Sequence, residues 1–290
     1  MSLPVIMHIN YCEQGQGMDE VCQKAAAWGF DGIEFRRIWA FQEEEPESYL
    51  DRLAKAFNKS GLKEAVFGYD YPDALTDETT DCDAVIEKAS QFYKLATERF
   101  NIKVCNAFSG ILLSQDEADT YSDYHRNGSF AATEKQWKMA AEGYKKLGKV
   151  AESMGFRFAF ETHMCYLHDL PASAKRLADM SESPAVGVNL DYGNTVYFKA
   201  EIPDIEEAIK IIGNKLFYLH LKNSISTESG VRVPTGLADG EINHRKYLKA
   251  LKQAGYNGFM CIEAPRSGDR EWFAQQDIKY IRALMKDVGL

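Results

Sequence analysis

Four ionisable residues occupy matching places in four successive apolar segments in the second half of the chain. They are Glu161 in RFAFETH, Asp191 in VGVNLDYGN, His220 in LFYLHLKN and Glu263 in GFMCIEA. Each segment is short and rich in Val, Ile, Phe or Tyr, and a polar turn and a helical pattern follow it. This predicts buried parallel strands with an ionisable residue near each C-terminal end. Because buried charges must be paired or bind a metal, the pattern indicates a functional site.

Three carboxylates and one imidazole form a ligand set for a hard or borderline divalent metal. Oxygen-rich ligation with a single nitrogen suits Mn²⁺, Co²⁺ or Mg²⁺, and Zn²⁺ stays open, whereas the absence of thiolate argues against a closed structural zinc site. We predict that Glu161, Asp191, His220 and Glu263 bind one divalent ion. The alternative is four unrelated strand-end residues that hydrogen-bond to loop amides.

Two glutamates beside a metal are suited to moving a proton at the carbon next to a carbonyl. We predict that Glu161 and Glu263 serve both as ligands and as acid and base, while the metal stabilises an enediolate. Side chains alternate along a strand, so His163 is expected on the inward face of Glu161, and Lys222 on that of His220. Lys222 would pair with negative charge on a substrate oxygen or form a salt bridge to a predicted ligand. His163 would orient a ligand or a substrate hydroxyl, or hydrogen-bond to a loop carbonyl.

The surroundings of the predicted strand ends favour hydroxyl recognition over phosphate capture. Glu34, at the end of GIEFR, would hydrogen-bond to sugar hydroxyls or pair with one of the two arginines that follow its phenylalanine. The cationic groups available to a phosphate are Lys222 and, less directly, Arg232 and Arg266. Aromatic and carboxamide groups are more plentiful: Trp39, Tyr69, Asn106 and Asn194. The sequence therefore favours an unphosphorylated sugar, polyol-derived ketone or small oxo-acid.

A repeated strand and helix unit must position these residues. The four strand-end residues are spaced 30, 29 and 43 positions apart, about one such unit per step. Four further strands are predicted near PVIMHINY, DGIEFRR, LKEAVFGY and IKVCNAFSG. Helical patterns cover about 18–29, 47–60, 78–99, 133–154, 171–182, 204–213, 244–254 and 270–287. Eight alternations predict an α/β fold, a (β/α)8 TIM barrel with residues 1–290 as a single domain, in which the C-terminal strand ends converge on one face.

Two further features bear on this fold. An open doubly wound sheet usually has a glycine-rich phosphate turn after its first strand, and NYCEQGQGMDE does not fit GxGxxG. Three predicted loops on the strand C-terminal side are long, at 37–46, 110–132 and 224–243, and are candidates for a lid. Their aromatic and imidazole side chains are Trp39, Phe41, Tyr121, Tyr124 and His125.

The overall composition limits the classes of partner that the protein is expected to bind. The net charge of −9 disfavours nucleic acid, and a small sugar or polyol-derived substrate is the expected partner. The six cysteines contain no CxxC pair and are expected to be reduced. The start MSLPVIMHINYC does not fit a signal peptide, and no segment has the roughly 18 apolar residues that span a bilayer. We therefore predict a cytoplasmic protein without a membrane partner, and a homo-oligomer stays open.

The same segments resemble a known family. FETH, LDYGN, LHLKN and CIEA, with GIEFR and TGLADGEINHRKYLKALKQAGYNGF, are similar to the sugar phosphate isomerase/epimerase family of xylose isomerase-like TIM barrels, from about residue 28 to 265. That family includes ketose 3-epimerases, hydroxypyruvate isomerase, inosose dehydratase and dehydroshikimate dehydratase. The resemblance implies the same four metal ligands and the same pair of glutamates. One position departs: ketose epimerases usually carry a histidine where this chain has Asn194, and asparagine does not titrate near neutrality.

The sequence therefore predicts a metal-dependent sugar isomerase or epimerase that works through an enediolate. The alternative is a dehydratase of the inosose or dehydroshikimate type, which abstracts the same proton but expels a β-hydroxyl. A phosphodiesterase of the endonuclease IV type is disfavoured, because it uses several more histidines and FGYDYP and NAFSG offer none. A non-catalytic sugar-binding barrel would be favoured by the loss of one of the four ligands, and none is lost.

Overall fold

A closed barrel of eight parallel strands forms the centre of the molecule, as predicted. The computed structural model describes residues 3–40, 44–70, 75–114, 124–198, 202–263 and 266–290. The strands are β1 (Val5–His8), β2 (Gly32–Arg36), β3 (Glu64–Asp70), β4 (Val104–Ala107), β5 (Arg157–Glu161), β6 (Val186–Asp191), β7 (Leu216–Leu221), β8 (Asn223–Ser226), β9 (Arg232–Thr235) and β10 (Phe259–Ile262). The barrel order is β1-β10-β7-β6-β5-β4-β3-β2, so the first strand pairs with the last.

Helices pack around the outside of the barrel, except a four-residue helix, Tyr192–Thr195, which follows β6 at the C-terminal end of the strands. They are α1 (Met18–Trp28), α2 (Pro46–Ser60), α3 (Cys82–Arg99), α4 (Glu134–Met154), α5 (Pro171–Met180), α6 (Tyr192–Thr195), α7 (Ile205–Ile212), α8 (His244–Gln253) and α9 (Arg270–Val288). The capping box of Thr133 and Gln136 begins α4, and Gly155 ends it with φ 80°. α3 begins later than predicted because the Asp81 side chain caps its first turn. Within the described ranges, no helix is long and apolar enough to cross a membrane.

The barrel interior is layered. A small apolar cluster fills the lower layer, and it is separate from the main core between barrel and helices: Ile6, Val66, Val104, Ala159, Tyr218 and Cys261. Because side chains alternate along a strand, the position two residues later points inward again. Those positions are His8, Gly68, Asn106, Glu161, His220 and Glu263. The interior is therefore apolar below and polar at the C-terminal end of the strands.

The predicted long loop at 224–243 contains a pair of strands. Within 224–243, β8 and β9 form an antiparallel hairpin in which Ile225 pairs with Val233. Both of these side chains are exposed, at 40% and 43%, so no buried face marked the hairpin in the sequence. Trp39 packs partly against the main core. Phe41, Tyr121 and the side chain of Tyr69 lie outside the described residues.

Candidate metal centre

The four residues predicted as ligands lie together at the C-terminal end of the barrel. One donor atom from each of Glu161, Asp191, His220 and Glu263 lies within 4.8 Å of the other three. Glu161 and Asp191 end β5 and β6, and His220 is the register partner of Asp191 on β7. Glu263 follows β10 directly, and its side chain is 14% exposed, whereas the other three are at most 5% exposed. The cluster therefore opens to solvent on the side of Glu263.

The spacing of these donors fits one divalent ion. Ligand distances of about 2.0–2.4 Å place neighbouring donors roughly 3 Å apart and opposite donors roughly 4–5 Å apart, and the four donor atoms lie within that limit. Nδ1 of His220 lies 2.9 Å from Oε2 of Glu263 and 3.3 Å from Oε2 of Glu161. Oδ2 of Asp191 is buried, and the Lys222 ammonium lies 2.8 Å from it. Three carboxylates and an imidazole converge on a space that a hard or borderline cation would complete.

In the absence of a metal ion, burial and the neighbouring charges have opposing effects on the pKa values of the cluster. Burial raises the pKa of Asp191; the Lys222 ammonium opposes this, Glu161 and Glu263 add to it, and the result is about 7. Burial lowers the pKa of His220, but the neighbouring carboxylates outweigh burial and raise it well above its usual value. Burial also raises the pKa of Glu263, yet Lys222 and nearby imidazoles hold it well below its usual range. A bound divalent cation would relieve the repulsion among the carboxylates.

Lys222 lies against the rim of the cluster. Its Nζ is 2.8 Å from Oδ2 of Asp191 and 3.1 Å from Oε2 of Glu263, so both of the anticipated salt bridges form. The ammonium also donates a hydrogen bond to Oδ1 of Asn194 at 3.2 Å. A Cβ at Gly193 would lie 2.1 Å from Cγ of Lys222, so the glycine leaves room for the lysine stem.

Two neutral amides hold the carboxylate of Glu161. Nδ2 of Asn194 donates to Oε1 of Glu161 at 3.0 Å and to the carbonyl of Thr162 at 3.0 Å. Nδ2 of Asn106 donates to Oε2 of Glu161 at 2.7 Å. Both asparagines were expected to recognise substrate hydroxyls, but they are buried and their amide hydrogens bind the protein. They therefore orient Glu161 and cannot exchange a proton with it.

His163 contacts a loop carbonyl, the second of the two roles expected for it. Nδ1 of its ring lies 3.0 Å from the carbonyl of Met164, because β5 ends at Glu161 and strand alternation does not reach residue 163. A different histidine, His168, holds the strand end, with Nδ1 2.5 Å from the carbonyl of Glu161 and Nε2 accepting from the backbone N–H of Ser109. Burial lowers the pKa of His168 to about 3, so the ring is neutral. No periodic signal in the sequence marked this residue.

Glu34 faces the barrel interior beneath His220 and is 1% exposed, so it does not reach the solvent-facing side of the cluster. The arginine two residues later does not pair with it: Arg36 forms its salt bridge with Glu13, at 2.5 Å. Burial raises the pKa of Glu34, but the charge and hydrogen bond of His220 outweigh burial and lower it to about 2. The carboxylate is therefore ionised.

The two arginines considered for phosphate binding are engaged elsewhere. Arg232 donates to Ser224 at 3.1 Å and pairs with Glu241 at 3.0 Å. Arg266 forms an ion pair with Asp277. Both contacts hold the guanidinium groups against residues outside the cluster.

Comparisons with known proteins agree with this architecture. The family described as Xylose isomerase-like TIM barrel matches residues 22–284. An inosose dehydratase of Clostridium perfringens is 27% identical over 173 residues, covering 54% of this chain and 57% of the relative. The chain thus aligns with about half the length of the curated relatives it matches.

Solved structures resemble the whole barrel. A xylose isomerase-like TIM barrel protein from Mycobacterium smegmatis in complex with magnesium is 18% identical, with a TM-score of 0.74, covering 99% of this chain and 97% of that one. A D-psicose 3-epimerase in the presence of D-fructose is 16% identical, with a TM-score of 0.71 and coverage of 98% and 99%. At these identities the likeness concerns the fold alone. Since the family match covers most of the residues, the chain belongs to the xylose isomerase-like TIM barrel family.

Proposed function

We propose that this protein is a divalent-metal-dependent dehydratase that removes water from a polyhydroxylated ketone. The observation that carries the proposal is the convergence of Glu161 and Glu263 on one buried cluster with Asp191 and His220. The likeness to an inosose dehydratase supports this chemistry over isomerisation. An inosose is a cyclic polyol ketone, so its carbonyl, α-proton and β-hydroxyl are the groups that the reaction requires.

Four residues of the cluster would hold the ion: Glu161, Asp191, His220 and Glu263. When bound, a divalent ion supplies positive charge that stabilises negative charge developing on the substrate carbonyl oxygen. The magnesium complex of the Mycobacterium smegmatis relative supports a hard cation at this kind of barrel. The donor set suits Mg²⁺ or Mn²⁺ best, Co²⁺ next, and Zn²⁺ less well.

The protein residues move the proton. Glu161, held by two amides, removes the proton next to the carbonyl, and the electron pair of the C–H bond becomes the enolate. The proton passes from Glu161 to Glu263, the C–O bond to the β-hydroxyl breaks, and the hydroxyl takes that proton and leaves as water. Both carboxyl groups are then ionised, as they were at the start, so the products are an α,β-unsaturated ketone and one water. Lys222, 3.1 Å from Glu263, donates a hydrogen bond to the oxygen that gains negative charge.

Ketose isomerisation or epimerisation is the second candidate. It is favoured by the presence of two carboxylates at one centre, since one can remove a proton and the other can return it to carbon. Dehydration is preferred because Asn194 stands where the ketose epimerases that this chain resembles carry a histidine. Asn194 also binds Glu161 and a backbone carbonyl, which leaves that position without a proton donor or acceptor that titrates near neutrality.

Turnover in D₂O distinguishes the candidates. The protein, loaded separately with Mg²⁺, Mn²⁺ and Co²⁺, is incubated with an inosose, 3-dehydroshikimate, free ketoses and ketose phosphates, and the products are followed by NMR and ultraviolet absorbance. We expect loss of water and growth of an enone band with the inosose. If the product is instead a deuterated epimer or isomer and no enone band grows, the protein is an isomerase or epimerase and not a dehydratase. Glu161→Gln is the control for contaminating activity.

A further inference from the structure

A fourth carboxylate lies fully enclosed beneath the cluster. Oε2 of Glu34 lies 2.8 Å from Nε2 of His220 and accepts a hydrogen bond from the hydroxyl of Tyr218 at 2.7 Å. Its Oε1 accepts from Nδ2 of Asn106 at 3.2 Å. Glu34 therefore contacts the side of the His220 ring that is turned away from the other three predicted ligands.

The backbone determines the direction of these hydrogen bonds. Oδ1 of Asn106 accepts from the backbone N–H of Ala107 at 3.1 Å, so the amide hydrogens of Asn106 must face the carboxylates. Glu34 accepts hydrogen bonds at both of its oxygens, from Tyr218 and from Asn106, so Glu34 is the acceptor and the hydrogen that it shares with His220 is carried by Nε2 of the ring. Nδ1 is then the nitrogen that faces the three carboxylates of the cluster, at 2.9 to 3.9 Å.

We propose that Glu34 is a positioning residue that fixes the ring orientation and tautomer of His220, so that Nδ1 offers its lone pair to the metal. The inference rests on the proposed metal-dependent function and deepens it. A carboxylate on the far nitrogen of a metal-binding histidine holds the ring and strengthens its electron donation. Asn106 extends the effect, because its amide donates both to Glu34 and to Glu161.

A second metal site, deeper in the barrel, explains the position of Glu34 less well than the positioning role does. Glu34, His220 and Cys261 do offer three donor atoms within 4.8 Å of one another. However, both oxygens of Glu34 already accept hydrogen bonds, from Tyr218 and Asn106, and Nε2 of His220 directs its hydrogen to Glu34. The space between these residues is therefore filled by an internal hydrogen-bond network.

Strand β3, the neighbour of β2, leaves space for the side chain of Glu34. A Cβ at Gly68 in β3 would lie 2.0 Å from Oε1 of Glu34 and 2.9 Å from its Cδ. Gly68 has no positive φ, so its backbone does not require glycine. Space for the carboxylate is the requirement that the structure shows. Gly68→Ala should therefore displace Glu34 while leaving its chemistry intact.

The test compares Mn²⁺ affinity, measured by calorimetry and electron paramagnetic resonance, in four proteins. We expect Glu34→Gln and Gly68→Ala to raise the Kd for Mn²⁺ about 10- to 100-fold. Tyr218→Phe is the matched control, because it removes a buried hydrogen bond to Glu34 but leaves the contact with His220. We expect its Kd to stay within about threefold of wild type, since it deletes no partner of a predicted ligand.

A measurement on the wild-type protein tests the proposal even if a variant does not fold. In protein loaded with Mg²⁺ and labelled with ¹⁵N-histidine, NMR should show His220 protonated at Nε2. A proton on Nδ1 would overturn the role of Glu34, and so would wild-type Mn²⁺ affinity in Glu34→Gln. If the wild type itself binds no Mn²⁺, the proposed metal-dependent function fails and the inference falls with it. Binding by the wild type with no change in the variants removes the inference alone.

Discussion

Replacing Lys222 by methionine should show how strongly the carboxylates of the cluster repel one another when no metal is bound. Methionine keeps most of the length and apolar stem of lysine but removes the ammonium that lies 2.8 Å from Asp191 and 3.1 Å from Glu263. The metal-free variant then holds its carboxylates with one fewer cation. We expect Lys222→Met to destabilise the metal-free protein and to increase the stabilisation that a divalent metal provides.

The size of the effect follows from burial and distance. The side chain of Lys222 is 13% exposed, and each contact is worth about 5–6 kcal/mol of Coulomb energy at an effective dielectric constant of about 20. Because the variant also avoids the desolvation of an ammonium, the net cost of breaking a buried pair is about 3–5 kcal/mol. A loss of about 3 kcal/mol lowers the Tm of a protein of this size by roughly 6–12 °C.

Thermal unfolding with and without Mn²⁺ measures both expectations. Lys246→Met is the matched control, since Lys246 also pairs with two carboxylates but is 45% exposed. Exposed pairs contribute about 0–1 kcal/mol, so the Tm of the control should change by only a few degrees. An unchanged Tm in metal-free Lys222→Met, or a smaller shift by Mn²⁺ than in wild type, would refute the reasoning.

Three further outcomes are expected. Glu161→Gln and Glu263→Gln should each lower substrate proton exchange by about 10²-fold or more, and near-normal exchange with unchanged metal content would contradict the acid/base assignment. Burial lowers the pKa values of His168 and His244 to about 3 and about 4. At these two residues the unfolded chain therefore binds more protons below pH 6.5, which lowers the free energy of unfolding toward pH 4 and 3 by up to about 2.7 kcal/mol per pH unit for the pair, whereas the raised pKa of Asp191 acts in the opposite direction; His244→Asn should therefore make the urea-denaturation profile between pH 6 and 4 less steep, and an unchanged slope would refute this. Since Arg232 and Arg266 are held in ion pairs with residues outside the cluster, phosphorylated substrates should not exceed free ones by about tenfold in kcat/KM, as steady-state assays can check.

The barrel and the candidate cluster could be predicted because both depend on periodic features. Apolar strands alternate with helical patterns, and a charged residue that ends an apolar strand is visible without knowledge of its partners. Glu161, Asp191, His220 and Glu263 are brought together by the closed barrel order alone. The position of Lys222 was predicted from the same alternation of side chains. Lys222 lies one residue beyond β7, and the alternation still holds there, so its ammonium reaches Asp191.

Other features depend on contacts that no single segment contains. His163 was expected on the inward face of β5, but the strand ends at Glu161; in the loop that follows, the ring of His163 lies against the carbonyl of Met164, the second of its two expected roles, and His168 binds the carbonyl of Glu161. The hairpin of β8 and β9 has exposed apolar residues and therefore lacks a buried stripe. Glu34 looked like a substrate-binding carboxylate until its partners on other strands, and the space left by Gly68, were known.

The pairing of the first strand with the last has a consequence for the order of folding. Val5, Ile6 and Met7 pair with Met260, Cys261 and Ile262, so this seam joins residues from opposite ends of the chain. Glu263 follows β10, which closes the barrel by pairing with β1 on one side and with β7 on the other, where the backbone N–H of Glu263 donates to the carbonyl of Leu221. A metal ion would then meet its complete donor set only after β10 has joined β7. Refolding rates should consequently be insensitive to Mn²⁺, while the ion slows unfolding, because contacts absent from the transition state act on the unfolding step.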